Sequence, residues 1–186
     1  HLVDVEVDIS GGLPQFSVVG LPDATVKESR DRVRSALKNT GFHFPAKRIT
    51  GDLAPAGVKK EGSGLDLAIA VGILVAEEVI PQAMVDKRVL VGELSLDGRV
   101  RPIMGALSFA LACRAGYDLL LPADNGAEAA LVDGISAYPL HSLPEAVEFL
   151  KGHQTIVPSC SNHALLESAR TAEDEDYTDV RGQDHA

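Results

Sequence analysis

Lys59-Lys60-Glu61-Gly62-Ser63-Gly64-Leu65-Asp66-Leu67-Ala68-Ile69-Ala70 is the stretch on which the reading of this chain turns. Two lysines run into a glycine-rich turn, and the turn opens a helix that is apolar almost all the way round. Ser63 has the identity of an N-cap, and Asp66 three residues on completes a short capping box. From 65 to 79 the only charges are Asp66, Glu77 and Glu78, so this helix meets solvent only at its ends and belongs at the centre of a domain. The loop before it is then held in place, exposed and basic, with backbone N–H groups at a helix N-terminus, where anions bind.

Outward from that helix the pattern is mixed. Val3, Val5, Val7 and Ile9 alternate with Asp4, Glu6 and Asp8, the period of a half-buried strand. Gly11-Gly12-Leu13-Pro14 turns the chain, and 15–19 returns as a second strand. Asp23 after Pro22 caps a helix ending at Gly41, with Val26, Val33 and Leu37 as its apolar stripe. Lys27, Arg30, Arg34 and Lys38 follow at spacings of three and four on the adjacent flank. Residues 48–53 read as a strand.

Beyond the central helix, 89–96 and 99–101 flank Asp97-Gly98, the strongest hairpin signal in the chain. Helices are expected over 106–115, with Gly116 following, and over 126–132, with strands over 118–121 and 136–140. Ser142-Leu143-Pro144-Glu145 is a full capping box that starts a last helix stopping at Gly152. Hairpins mixed with crossovers favour an α+β fold with a mixed sheet. The folded domain is expected over 1–153 and an acidic linker over 154–178, where Glu173-Asp174-Glu175-Asp176 is a solvated charge run.

Composition narrows the function. The 186 residues are 45% hydrophobic, with no Trp, and carry a formal net charge of −10. That charge opposes whole-surface attraction to nucleic acid or anionic lipid. It hides an asymmetry: from 27 to 60 there are nine Lys/Arg against three acids, whereas from 165 to 186 there are seven acids against two arginines. One anion-facing surface, or a solvated helix face with pairs such as Glu28 and Arg32, fits this equally well. Two distant cysteines favour a reducing compartment, and no run is long enough to span a membrane, so a cytoplasmic setting is expected.

Several chemistries fail on spacing. The loop from Gly57 to Ser63 has glycines and lysines in the wrong order for a phosphate-binding loop. Cys160 and His163 are a two-ligand fragment where zinc needs four, so no metal site is expected. Ser63 beside Lys59 and Lys60 raises a Ser–Lys pair, but an exposed lysine is a poor base and the cap role ranks ahead.

Three blocks together carry a resemblance: Gly12-Leu13-Pro14-Gln15-Phe16 with Val19-Gly20-Leu21-Pro22-Asp23, the stretch from 59 to 70, and Gly92-Glu93-Leu94-Ser95-Leu96-Asp97-Gly98-Arg99-Val100-Arg101-Pro102. In this order they resemble the N-terminal domain of Mg-chelatase-like AAA+ ATPases of the ComM/YifB type. Asp179-Val180-Arg181-Gly182-Gln183 is similar to the opening of that family's ATPase module, so 179–186 is expected to begin it. The resemblance implies a domain like the proteolytic domain of Lon, on a ribosomal-S5-like α+β fold. The Lon serine position reads Gly64 and the lysine position Ser108, so no catalytic residue is expected in this chain. Asp52 and Gly57 also depart from the family's Asn and Asp.

For the full-length protein the resemblance implies a hexameric ATP- and Mg-dependent DNA motor, a helicase acting in branch migration and natural transformation. This chain would be its front ring, not itself an enzyme and with no cofactor of its own. DNA contact is expected through Arg30, Arg34, Lys38, Lys47, Arg48, Lys59 and Lys60, mainly to the backbone because few aromatics are near. The alternatives are a pure oligomerisation scaffold and, ranked last, a Lon-like peptidase using Ser63.

Overall fold

The computed structural model describes residues 2–60, 62–113 and 116–160. The chain opens with β1 (Asp4–Ser10), whose apolar residues are half-buried and whose carboxylates are exposed, as the alternation requires. β2 (Gln15–Val19) follows the Gly-Gly-Leu-Pro turn. It does not pair with β1. The strand β3 (Arg48–Ala54) lies between them, antiparallel to β1 and parallel to β2, giving the order β1-β3-β2.

Between β2 and β3 runs α1 (Ala24–Asn39), started by Asp23, whose carboxylate accepts the Val26 N–H at 2.8 Å. Its inner face is Val26, Ser29, Val33, Ala36 and Leu37, all fully buried. At its entry Gly20 has φ +93°, and a Cβ there would lie 2.2 Å from the Leu53 carbonyl oxygen. Only glycine lets the chain pass that close to β3.

The apolar helix is α2 (Asp66–Ala76), and it is central. It packs on β1 and α1, and its Leu67, Ile69, Ile73 and Leu74 are fully buried in the main core with Leu37, Ile49, Leu143 and Leu150. Burying each such side chain stabilises the fold by about 1.5–3 kcal/mol before entropy is counted. β1 lies so close that a Cβ on Gly72 would be 2.6 Å from Val7 Cγ2.

The run expected as one long hairpin arm divides in two. β4 (Arg88–Leu90) pairs in parallel with β7 (Asp118–Pro122), while β5 (Glu93–Leu94) makes the hairpin with β6 (Val100–Arg101) across Asp97-Gly98. β8 (Ser136–Leu140) completes an all-parallel sheet in the order β4-β7-β8. β7 is apolar from Leu119 onward because both its faces are covered there: Leu120 joins the main core, and Leu119 and Leu121 join a second one with Ala106, Ala110 and Ala129. That second core is roofed by α3 (Ala106–Ala112) and α4 (Gly126–Ala129), each shorter than the pattern implies. Residues 114 and 115, expected as the end of α3, lie outside the described residues.

α5 (Leu143–Leu150) starts at the Ser142 cap, where the Ser142 hydroxyl accepts the Glu145 N–H and Glu145 accepts the His141 N–H at 2.6 Å. The chain then continues without regular structure to Cys160, with Ile156 against the main core and the Ser159 N–H on the Ala137 carbonyl at 2.8 Å. The acidic run and residues 179–186, expected to begin an ATPase module, lie outside the described residues. Mixed small sheets with packed helices make this an α+β fold. Among the described residues no helix is long and apolar enough to cross a membrane.

Candidate functional site

The lysine loop is not an open anion cradle. Ser63 does not cap α2; the cap position is Leu65, and the Ser63 hydroxyl donates to the Glu93 carboxylate. The N–H groups at the helix start are already used, Asp66 on the Ser63 carbonyl at 3.3 Å and Leu67 on the Gly92 carbonyl at 3.1 Å. Asp66, expected at the edge of a capping box, is fully buried. It accepts the Arg32 Nε at 2.6 Å, the Arg32 Nη2 at 3.1 Å and the Leu94 N–H at 3.1 Å. An acid already fills the positive end of this helix.

Arg32 is thereby removed from the helix surface. Its Nη1 reaches Glu28 at 3.9 Å, the expected intrahelical pair, but the bidentate partner is Asp66. The hydrogen bonds that Arg32 donates to Asp66 raise the guanidinium pKa above its usual value, against the lowering effect of burial. Sequence reasoning missed this pair. The available signal was a lone charge in the first turn of an otherwise apolar helix, which demands a buried cation.

The seven cations expected at a DNA surface divide. Lys60 is only 3% exposed, and its ammonium donates to the Pro55 carbonyl. Its backbone holds the entry to α1, donating to Leu21 and accepting from Asp23. A buried ammonium anchoring a loop cannot also face a polyanion. Lys59, its neighbour in the loop, is exposed.

The other five are exposed, from the middle of α1 to its last turn and at the start of β3. Arg30 donates to the Phe16 carbonyl at 3.4 Å and, through Nε, to the Lys27 carbonyl at 2.9 Å. Lys47 and Arg48 stand beside the start of β2, where the Gln15 N–H meets the Lys47 carbonyl and Gln15 registers with Arg48. Arg34 lies over the Phe44 ring at 5.6 Å, and Phe44 packs on Phe16 with centroids 5.8 Å apart. Lys38 follows one turn beyond Arg34. Roughly 16 Å of helix separates Arg34 from the α1 cap and the lysine loop. Phe44, packed on Phe16, holds the Arg34 guanidinium in place, a role the composition did not announce.

The two positions of the Lon dyad are Gly64, packed against Val91 with its carbonyl on the Gly92 N–H, and Ser108, exposed on α3. Asp52 lies on β3 directly opposite Glu6, and Gly57 in the turn closed by the Val58 N–H on the Pro55 carbonyl. Among the described residues no group of three or more His, Cys, Asp or Glu side chains is arranged to hold a metal.

The sequence pattern of the family described as "Subunit ChlI of Mg-chelatase" matches residues 5–125, and the chain belongs to that family. It is 41% identical over 189 residues to the competence protein ComM of Haemophilus influenzae and 41% identical over 183 residues to the YifB protein of Escherichia coli K12. An uncharacterized protein of Mycobacterium tuberculosis is 42% identical over 189 residues. These alignments cover 98% or more of the chain and 35–37% of each relative, so the chain spans little more than a third of the length of the relatives it matches.

Proposed function

We propose that this chain is the front domain of a longer AAA+ ATPase, on a ribosomal-S5-like fold similar to that of the Lon proteolytic domain, and that it gives a hexameric DNA motor a backbone-contacting surface. The observation that carries this reading is the group Arg30, Arg34, Lys38, Lys47 and Arg48, exposed along the middle and last turns of α1 and at the start of β3 in a protein of net charge −10. Five cations per subunit, repeated round a ring, bind a polyanion that one subunit alone binds weakly. The match to a competence protein agrees with a role in handling incoming DNA. ATP and Mg2+ belong, in this reading, to the part of the protein beyond this chain.

The test is fluorescence anisotropy of labelled single- and double-stranded DNA at low and moderate salt, comparing the parent with Arg30→Glu/Arg34→Glu. Salt-sensitive binding lost in the double variant supports the reading. Binding unchanged by those substitutions refutes it.

A second reading, a ring-building scaffold, has its own observation. Met104 is 96% exposed and Leu111 67% exposed, with Leu107 one turn before Leu111 on α3. Apolar side chains left open in this way mark contact surfaces. Sedimentation of Leu107→Asp/Leu111→Asp against the parent distinguishes it, since a scaffold loses assembly and a DNA contact surface keeps its DNA affinity. The peptidase reading finds less support: Ser63 meets the Glu93 carboxylate, and Lys60 meets the Pro55 carbonyl.

A further inference from the structure

The strand β2 lies in the interior of the sequence, between the Gly-Gly-Leu-Pro turn and α1, and its backbone phase is set by its pairing with β3. The Gln15 N–H on the Lys47 carbonyl, in register with Arg48, turns the N–H and C=O groups of Gln15, Ser17 and Val19 toward β3. Those of Phe16 and Val18 point the other way, and from that side the Arg30 guanidinium donates to the Phe16 carbonyl at 3.4 Å. Among the described residues no backbone group pairs with Phe16 or Val18 there. Sheets guard such an edge with lysine, a bulge or an inward charge. Residues 11–22 carry no charge at all, and Leu13, Val19 and Leu21 are 83%, 44% and 57% exposed.

This segment is complementary to itself. An antiparallel pairing of two copies about Ser17 sets Phe16 opposite Val18 of the second copy. Both residues carry outward-pointing groups, so each such pair exchanges both of its backbone hydrogen bonds. Phe16 keeps its bond from Arg30, because a carbonyl oxygen has two lone pairs. Ser17 then meets Ser17 on the axis, and Gln15 meets Val19. Carried past the strand ends, the same register brings Leu13 of each copy to Leu21 of the other.

Charge selects the same direction. Arg48 is in register with Gln15 and Asp52 with Val19. Across the joined sheet, Arg48 of one copy therefore shares a row with Asp52 of the other, three strand spacings or about 14 Å away. A parallel pairing in register would set Arg48 against Arg48 and Asp52 against Asp52. One arrangement thus satisfies hydrogen-bond phase, apolar cover and charge together.

We propose that β2 pairs antiparallel with β2 of a second copy of this chain on a two-fold axis at Ser17, joining their sheets into one. Such a contact is isologous and closes at two copies, whereas a ring is built from head-to-tail contacts. It couples subunits in pairs, on a different element from Leu107 and Leu111 of α3. The proposal does not rest on the nucleic-acid reading, and its test contains no nucleic acid.

Sedimentation of the 186-residue chain from micromolar to millimolar concentration is expected to show a monomer–dimer equilibrium. Ser17→Lys sets two cations face to face on the axis and weakens it at least ten-fold, with thermal melts checking that the variant folds. Under oxidised glutathione, Ser17→Cys forms a linked dimer, because a non-hydrogen-bonded pair has Cα atoms about 4.5 Å apart, within the span of a disulfide. Gln15→Cys and Val19→Cys link when mixed, and neither links to itself; mass spectrometry separates these links from any at Cys113 or Cys160. In amide exchange Phe16 and Val18 slow as concentration rises, whereas Gln15, Ser17 and Val19 are slow throughout. A monomer at millimolar concentration overturns the proposal, as does a dimer that Ser17→Lys leaves unchanged. A Gln15→Cys self-link overturns the register. Phe16 and Val18 slow at every dilution overturn it too, since another part of the chain would then cover the edge. The Ser17→Cys link is sought in the full-length protein as well, and its absence there overturns the proposal.

Discussion

Arg32 on α1 and Asp66 at the head of α2 form a bidentate ion pair, Nε to Oδ2 at 2.6 Å and Nη2 to Oδ1 at 3.1 Å, with the carboxylate wholly buried. Asp66 also accepts the Leu94 N–H, so one carboxylate joins α1, α2 and the β5–β6 hairpin. Removing one partner leaves a charge in the core without its counterion. Arg32→Met is expected to destabilise the domain by about 3–5 kcal/mol. Arg32→Met/Asp66→Asn restores part of that loss, because the amide is neutral and still accepts from Leu94. Urea unfolding midpoints of the parent and the two variants check both statements.

Lys60 and Arg34 were equal candidates for a DNA surface, and their environments now predict opposite phenotypes. Lys60→Met removes the donor to the Pro55 carbonyl and is expected to cost about 1–3 kcal/mol of stability with DNA affinity unchanged. Arg34→Ala leaves stability within about 1 kcal/mol and lowers the slope of log affinity against log salt by about 1. Thermal melts and a salt titration read the two effects separately.

Gly20 and Gly11 differ in the same way. An alanine Cβ at Gly20 meets the Leu53 backbone at 2.2 Å with φ at +93°, so Gly20→Ala is expected to cost more than about 1 kcal/mol. Gly11 has open space around it, and Gly11→Ala is expected to stay within about 0.5 kcal/mol of the parent. Equal denaturation midpoints for the two variants would contradict this account of the α1 entry.

At the hairpin tip the Ser95 hydroxyl and the Arg99 backbone N–H hold the Asp97 carboxyl below its ordinary value of 3.8. The folded value lies beneath the unfolded one, so the ionised form favours the folded state. That contribution is present above 3.8 and lost as pH falls through the folded value. A carboxyl-carbon titration followed by NMR is expected to give a midpoint below 3.8. The stability gap between the parent and Asp97→Asn is expected to narrow as pH falls through the same range.

Most elements were legible because each is fixed by a local signal. The Asp23 cap, the Asp97-Gly98 turn and the Ser142 box each rest on one or two side chains and their neighbours, and each stands where the pattern puts it. The strand partners were not legible. Nothing between Ser10 and Gln15 says that β3 will separate the strands on either side, because pairing is decided by distant apolar faces competing for α2. The site divided for a related reason. A lysine in a Gly-rich loop has the same local signature whether its ammonium faces water or a carbonyl, so Lys60 was indistinguishable from Lys59 until Pro55 was placed. Arg32 was hidden likewise, since its i,i+4 neighbour Glu28 offered a local partner that explained it without Asp66.

The order β1-β3-β2 has a consequence for how the molecule is made. The two strands that come first, β1 and β2, are not neighbours in that sheet, and each pairs with β3, so both pairings wait until residues 48–54 have been synthesised. A nascent chain leaving the ribosome N-terminus first must carry both strands past the whole of α1 before the central one arrives to join them. β3 is thus a keystone in time as well as in space, and translation speed across the α1 and β3 codons sets how long those edges stay open to the wrong neighbour.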